Sequence, residues 1–489
     1  MNGSVIRYLL GQVIKIEGLL LLLPCITGFI YHEQLAYYYI GIAIASFAIG
    51  VLLTVKKPGN QVFYLKEGCL ITSLSWIFLS IIGCLPFFIT REIPSFTDAL
   101  FETISGFTTT GASILTDVEH LSKSTLMWRS FTHWIGGMGV LVFILAIVPL
   151  SGGSNFNLMR AESPGPSVGK LVPRLKNTAQ LLYIIYFAMT VIEILLLIIS
   201  GMPVFDSITL SFGTAGTGGF GVRNDSIAGY SHLQQWIITV FMLLFGVNFN
   251  VYYLILFKEL KRAFSMEEVK AYFSVVFFAT IAIVASMHRT IPVFSDNLRI
   301  SMFQVATIIT TTGYSTADFD VWPTFCKLIL VLLMFCGGCA GSTAGGIKVS
   351  RFVIGIKTVG KEMVSYIHPK SIKKIQMDEK PIEHEVLRAT NVYFLTYTMI
   401  FVISMLFISI DKEDIVTCFT AVAATLNNVG PGLSMVGPTQ NYSHFSILSK
   451  YVLMLDMLAG RLELFPLLIM FYPLVWKEVF SVNRFKKTT

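Results

Sequence analysis

Four short runs rich in Thr and Gly interrupt otherwise apolar sequence: Thr108-Thr109-Thr110-Gly111-Ala112, Thr214-Ala215-Gly216-Thr217-Gly218-Gly219, Thr310-Thr311-Thr312-Gly313-Tyr314 and Asn427-Asn428-Val429-Gly430-Pro431. Each follows a helix-length segment and precedes a polar loop and a second apolar segment. Non-helical backbone is tolerated at membrane depth only where it lines a cavity or is buried in protein. Rings of carbonyl oxygens that replace an ion's hydration shell are a known use of such backbone. The chemistry on offer is therefore coordination of a desolvated cation, with no covalent step. One glycine of this kind reads as a turn residue free to take positive φ, and a lone threonine reads as an N-cap. Four matching runs between half-helices read as a filter.

The elements that must position these runs recur in one order: helix, half-length helix, Thr/Gly run, helix. That order predicts an all-α polytopic membrane protein with four tandem repeats, at 61–152, 153–262, 263–360 and 361–489, around one pseudo-fourfold pore. A two-helix hairpin at 1–60 precedes them. Internal self-similarity on this scale governs the whole architecture. Pro94, Pro203 and Pro292 precede the first three half-helices, and Asp98, Asp206 and Asp296 follow, as a helix start favours. The fourth starts without proline at Asp411-Lys412-Glu413-Asp414. Each half-helix would turn its negative C-terminal end toward the filter, which favours a cation. Ten full spans and four half-helices would return both termini to one side.

Composition agrees. Of 489 residues, 54% are hydrophobic and only 13% charged, against about 25% charged in ordinary soluble domains. The first apolar stretch leads into another with no credible cleavage site, so it reads as a span and not a signal peptide. The seven cysteines lie mostly in apolar segments and predict no disulfide framework. Cys336-Gly337-Gly338-Cys339 lacks the context of a redox motif. The net charge of +7 is spread over short loops and forms no stripe for nucleic acid. Lys56, Lys57, Lys66, Arg160, Lys170, Arg174, Lys176, Lys258, Lys261, Arg262, Lys357, Lys361, Lys370, Lys373, Lys374, Lys477, Arg484, Lys486 and Lys487 fall on the side opposite the filters. By the positive-inside rule that side, with both termini, is cytoplasmic. A membrane enzyme would want a cluster of His and acids at one membrane face, and a carrier of organic solutes would want inverted halves with intramembrane acids. The first pattern is absent, and four parallel-oriented repeats argue against the second.

The run Cys339-Ala340-Gly341-Ser342-Thr343-Ala344-Gly345-Gly346-Ile347-Lys348-Val349-Ser350-Arg351, with Trp134-Ile135-Gly136-Gly137-Met138-Gly139 and Asn428-Val429-Gly430-Pro431-Gly432, resembles the Trk/Ktr/HKT superfamily of potassium transporters. The leading hairpin and Glu162-Ser163-Pro164-Gly165-Pro166 point to its bacterial TrkH branch. The resemblance spans essentially the whole chain. It implies potassium uptake across the bacterial inner membrane, a homodimer, and a cytosolic nucleotide-binding TrkA-type partner. The chain has no phosphate loop of its own, so any nucleotide effect must come through the partner; a non-enzymatic, potassium-translocating chain without a cofactor is expected. Carried over by motif, the potassium-binding filter falls on Thr109, Thr110 and Gly111; Gly216, Thr217 and Gly218; Thr311, Thr312 and Gly313; and Asn428, Val429 and Gly430. Glycine at all four key positions implies potassium preferred over sodium. Whether flux is channel-like or coupled to protons or sodium stays open.

Gly341, Ser342, Thr343, Ala344, Gly345 and Gly346 break the second helix of repeat three. Small residues there suit close helix packing; the resemblance implies a gating loop. Arg461 lies within an apolar helix, where an arginine costs about 2.5–3.5 kcal/mol and needs polar surroundings. Glu463 is two residues on and faces elsewhere. Arg461 is 31 residues after Gly430 (461 − 430), and 31 after Gly313 is Ala344. Without gaps, the guanidinium and the loop share a depth, and the loop's carbonyls would accept its hydrogen bonds. Lys348 and Arg351 are expected to snorkel. His133 reads as a hydrogen-bonded structural histidine. Glu102 either attracts cations or pairs with a neighbour, and the charged stretch from His368 to Glu385 is either a linker or a docking element.

Overall fold

A computed structural model describes residues 2–59, 64–139, 175–369 and 374–477. Arg160, Glu162 to Pro166, Lys170, Arg174, Lys370, Lys373, Arg484, Lys486 and Lys487 lie outside those residues, as does the stretch near 150 where the second helix of repeat one was expected to end.

Six helices among the described residues are long and apolar enough to cross a bilayer: Gly3–Ile30, Ala36–Thr54, Leu65–Ile89, Gln180–Ile199, Glu267–Met287 and His384–Asp411. The first two form the leading hairpin. Its helices approach closely through small residues: a Cβ on Gly11, Gly18 or Gly50 would come within 3.0 Å of the facing helix, the packing that membranes favour. The other four each open a repeat and are followed by a half-length helix: Phe96–Phe107, Val204–Gly216, Phe294–Ile309 and Ile415–Leu426.

The half-helices start on acids. Asp98, Asp206 and Asp296 occupy the first turns of three. Asp414 caps the fourth, accepting the amides of Val416 and Thr417 at 3.0 and 3.1 Å, which offsets the positive helix end. The prolines stand just outside the helices: Pro203 is an N-cap, and Pro94 and Pro292 precede the caps Ser95 and Val293.

The second helices depart from the expectation of uninterrupted spans with one break in repeat three. His232–Phe245 turns by 90° into Phe249–Leu256. Thr324–Cys336 is separated from Val349–Ile367 by twelve residues, 337–348. Ile447–Arg461 gives way to Phe465–Met470 through Glu463 and Leu464 at φ 54° and 69°. In repeat one, Lys123–Gly137 ends at Met138. Close approach accompanies these endings. A Cβ on Gly136 would meet the carbonyl oxygen of Phe107, and one on Gly460 that of Leu426, the last residues of the first and fourth half-helices. Ending a helix there frees C-terminal carbonyls that must find donors elsewhere.

Two apolar cores tie the repeats together. One joins the hairpin to repeats one and four around Trp76, Phe101 and Trp128; the other joins repeats two and three around Tyr272, Phe303 and Tyr314.

Candidate functional site: a ring of four loops

All four half-helices end alike. The amide of Thr110 donates to Ser105 O at 2.9 Å, Gly218 to Gly213 at 2.8 Å, Thr312 to Thr307 at 2.8 Å and Val429 to Ala424 at 2.7 Å. One residue earlier, Thr109, Thr217, Thr311 and Asn428 donate to Gly106, Thr214, Ile308 and Thr425 at 3.1, 3.0, 3.1 and 3.1 Å. This pair of bonds is the Schellman ending, whose residue beyond the cap is left-handed and usually glycine. Here it is Thr109, Thr217, Thr311 or Asn428, at φ 53°, 54°, 57° and 55°, a conformation that costs an ordinary residue about 1–2 kcal/mol. Two positions on, Gly111, Gly219, Gly313 and Gly430 hold φ 78°, 81°, 86° and 95°.

These matches correct the second loop. The expected frame was Gly216, Thr217 and Gly218; the hydrogen bonds make Thr217, Gly218 and Gly219 the counterparts of Thr109, Thr110 and Gly111. With three glycines, 216, 218 and 219, in the run from Thr214 to Gly219, two frames fit the composition, and only the helix ending selects one.

The loops close on one another. A Cβ on Gly111 would come nearer than 3.0 Å to the carbonyl oxygen of Gly218, one on Gly219 to that of Thr312, one on Gly313 to that of Val429, and one on Gly430 to that of Thr110. The order runs one, two, three, four and back to one. No backbone amide among the described residues donates to these four carbonyls. The Asn428 amide nitrogen Nδ2 donates to Thr110 Oγ1 at 3.0 Å and ties loop four to loop one. The hydroxyls of Thr108 and Thr110, and of Thr310 and Thr312, pair at 2.8 Å in both loops. Thr109 Oγ1 and Asn428 Oδ1 are buried with no hydrogen-bond partner.

The ring is braced from behind. His133 bonds Gly106 O through Nδ1 at 2.7 Å, and its Nε2 accepts the Phe220 amide at 3.2 Å. It is thus a neutral structural ring joining repeats one and two. Glu102 pairs with Arg129 at 2.6 Å and accepts the Ile114 amide at 3.1 Å. Arg129 also lies over the Phe220 ring, 3.6 Å from its centre, and donates to Gly221 O at 2.8 Å. Tyr442 donates to Gly430 O at 2.7 Å and Tyr314 to Leu210 O at 2.9 Å. Tyr442 lies 12 residues beyond its acceptor, and nothing in its spacing announced this role.

Under the ring, on the side of the half-helix ends, lies the stretch that interrupts repeat three. Gly345 donates its amide to Thr311 Oγ1 at 2.6 Å, and Gly346 to Asn427 O at 2.9 Å. Thr343 Oγ1 donates to Phe245 O at 3.2 Å, Cys339 N to Gly246 O at 3.0 Å, and Phe249 N to Gly341 O at 3.0 Å. The broken helix of repeat two and the loop thus satisfy each other. Ser342 Oγ donates to Cys339 O at 2.7 Å, and Ala344 is fully buried. Arg461 donates to Thr343 O at 2.8 Å, to Gly137 O at 2.6 Å and to Gly136 O. The guanidinium therefore joins repeat four to the loop of repeat three and to the helix end of repeat one.

Two basic residues are not where snorkelling would put them. Lys348 is 8% exposed and donates to Ala344 O. Arg351 is 4% exposed, pairs with Glu463 and lies over the Tyr393 ring at 3.9 Å. Cys336 and Cys339 are unbridged, and no cluster of metal-ligating side chains occurs among the described residues.

The family model of TrkH cation transport proteins matches residues 37–291 and 275–478. The Trk system potassium uptake protein TrkH of Salmonella typhimurium is 34% identical over 98% of this chain and 100% of its own length. TrkG of Escherichia coli K12, also called a Trk system potassium uptake protein, is 31% identical over 98% of this chain and 100% of its own. The crystal structure of the potassium transporter TrkH from Vibrio parahaemolyticus superposes with a TM-score of 0.87 at 30% identity, covering 97% of this chain and all of that one.

Proposed function

The chain belongs to the TrkH family of cation transport proteins, and we propose that it takes up potassium across a bacterial inner membrane, as a conduit and not as an enzyme. The closed contact of Gly111, Gly219, Gly313 and Gly430 with the carbonyls of Gly218, Thr312, Val429 and Thr110 carries this reading. A potassium ion exchanges water for those oxygens, helped by Thr109, Thr217, Thr311 and Asn428. The negative ends of four half-helices offset its charge.

In this reading Gly341 to Gly346 form the gate. The loop occupies the space under the ring through the Gly345 and Gly346 bonds, and the Arg461 cation repels potassium while its hydrogen bonds hold the loop closed. Opening breaks those bonds. A cytosolic nucleotide-binding subunit of the TrkA type supplies the work, acting on a homodimer whose positive loops and termini face the cytoplasm. The test is rubidium uptake by bacteria stripped of their own potassium uptake systems and given this chain with such a subunit. Uptake that potassium competes away supports the reading; none, with the protein present in the membrane, overturns it.

A further inference from the structure

Besides the bonds to the broken helix of repeat two, two further sets hold the loop under the ring. The middle of the loop is held from the ring side, by Arg461 on Thr343, Thr311 on Gly345 and Asn427 on Gly346. Its two feet are also bridged to each other by one side chain. Glu268 Oε1 accepts the amide of Ala340 at 2.6 Å and the amide of Ser350 at 3.2 Å. Ala340 is the last residue before the loop, and Ser350 lies in the first turn of Val349–Ile367. The two amides lie ten positions apart (350 − 340), and between them Gly341, Gly346 and Lys348 sit at φ 73°, 76° and 82°.

Glu268 is 3% exposed, in the first turn of Glu267–Met287. That helix end is itself fixed: Asp378 Oδ1 accepts the Glu267 amide at 2.8 Å, and Glu267 pairs with Lys357, whose Nζ also donates to Gln376 O at 2.7 Å. Asp378 belongs to the turn of a small hairpin pairing Gln376–Met377 with Lys380–Pro381. The helix end that carries Glu268 is therefore tied to Val349–Ile367 and to the small hairpin, and its carboxylate meets, at Ser350, a free amide of a helix start, where an acceptor is effective.

We propose that Glu268 is a positioning residue that pins both feet of the loop, so that opening swings the segment between them as a flap without unravelling the flanking helices. Only the bonds made between the two feet need break. The two Glu268 bonds persist in both states and return the loop to register on closing. The proposal rests on the gate reading for its effect on flux, but the pinning itself is a matter of backbone protection and is measured separately.

Hydrogen exchange by mass spectrometry on the full-length protein in nanodiscs reads that protection, in peptides spanning 337–350, with hairpin peptides from 3–54 as a folding control. Glu268→Ala is expected to speed exchange at Ala340 and Ser350 at least tenfold, with the control unchanged. Glu268→Gln keeps an acceptor oxygen and should stay within about threefold of the parent. Glu268→Asp, one methylene shorter, should release one foot, and it decides the matter if the alanine variant does not fold. Parent-like exchange in folded Glu268→Ala or Glu268→Asp overturns the proposal. Faster exchange with unaltered rubidium flux upholds the pinning and removes the gate role from the loop.

Discussion

Gly111 and Gly218 meet so closely that no side chain fits between them: a Cβ on the first would lie nearer than 3.0 Å to the carbonyl oxygen of the second. Gly111 also holds φ 78°, so both conformation and space demand glycine. The same relation links Gly219 with Thr312, Gly313 with Val429 and Gly430 with Thr110.

Gly111→Ser and Gly219→Ser should therefore act alike, although the two loops differ in sequence. Each pushes a neighbouring carbonyl out of the ring, and the permeability of potassium relative to sodium should fall several-fold in reconstituted vesicles. If Gly219→Ser kept the parent's ratio while Gly111→Ser lost it, the register of loop two would be wrong.

Arg461→Ala removes bonds to Thr343, Gly136 and Gly137 along with the charge. Rubidium flux without the cytosolic subunit should rise several-fold, and deletion of Thr343 to Gly345 should do the same. A folded variant no faster than the parent would put the barrier elsewhere.

The Arg351 and Glu463 pair is buried, with side chains 5% and 9% exposed. Removing one partner of such a pair strands the other, at about 3–5 kcal/mol. Glu463→Ala should lower the thermal unfolding midpoint in detergent markedly more than the double variant Arg351→Met with Glu463→Leu does. Equal losses would mean the pair is not coupled.

The orientation we propose from the loop charges has Lys261 inside and Asp117 outside. On a cysteine-free background, a cysteine at position 117 should react with impermeant maleimide added to whole cells. One at 261 should react only after permeabilisation. Labelling at 261 in intact cells would invert the orientation.

What was legible in the sequence follows from how far each residue reaches. Thr109 to Gly111 and their counterparts announced themselves because strained, close-packed backbone leaves few residue types to choose from, so composition alone marks the loops. The frame of loop two was not legible, since Gly216, Gly218 and Gly219 satisfy two frames equally. Counting from the glycines brought Arg461 to the loop because repeats three and four match closely in length there, and the bond to Thr343 results. Glu268 and Glu463 were invisible in those roles: their partners lie 72 and 82 residues away for the one and 112 for the other, where no local pattern reaches. The broken second helices were hidden for another reason. A glycine in an apolar helix reads as a packing residue, and only the half-helix end pressed against Gly136 or Gly460 reveals the stop.

In the function we propose, the four carbonyls form one selective passage for potassium. Its most direct measurement is the reversal potential of current through the purified chain in planar bilayers, with potassium, sodium and proton gradients imposed one at a time and the cytosolic subunit present. The potential should follow the potassium gradient, respond weakly to sodium, and shift toward sodium in Gly313→Ser. A potential set by sodium or protons, or one that Gly313→Ser leaves unchanged, would contradict it.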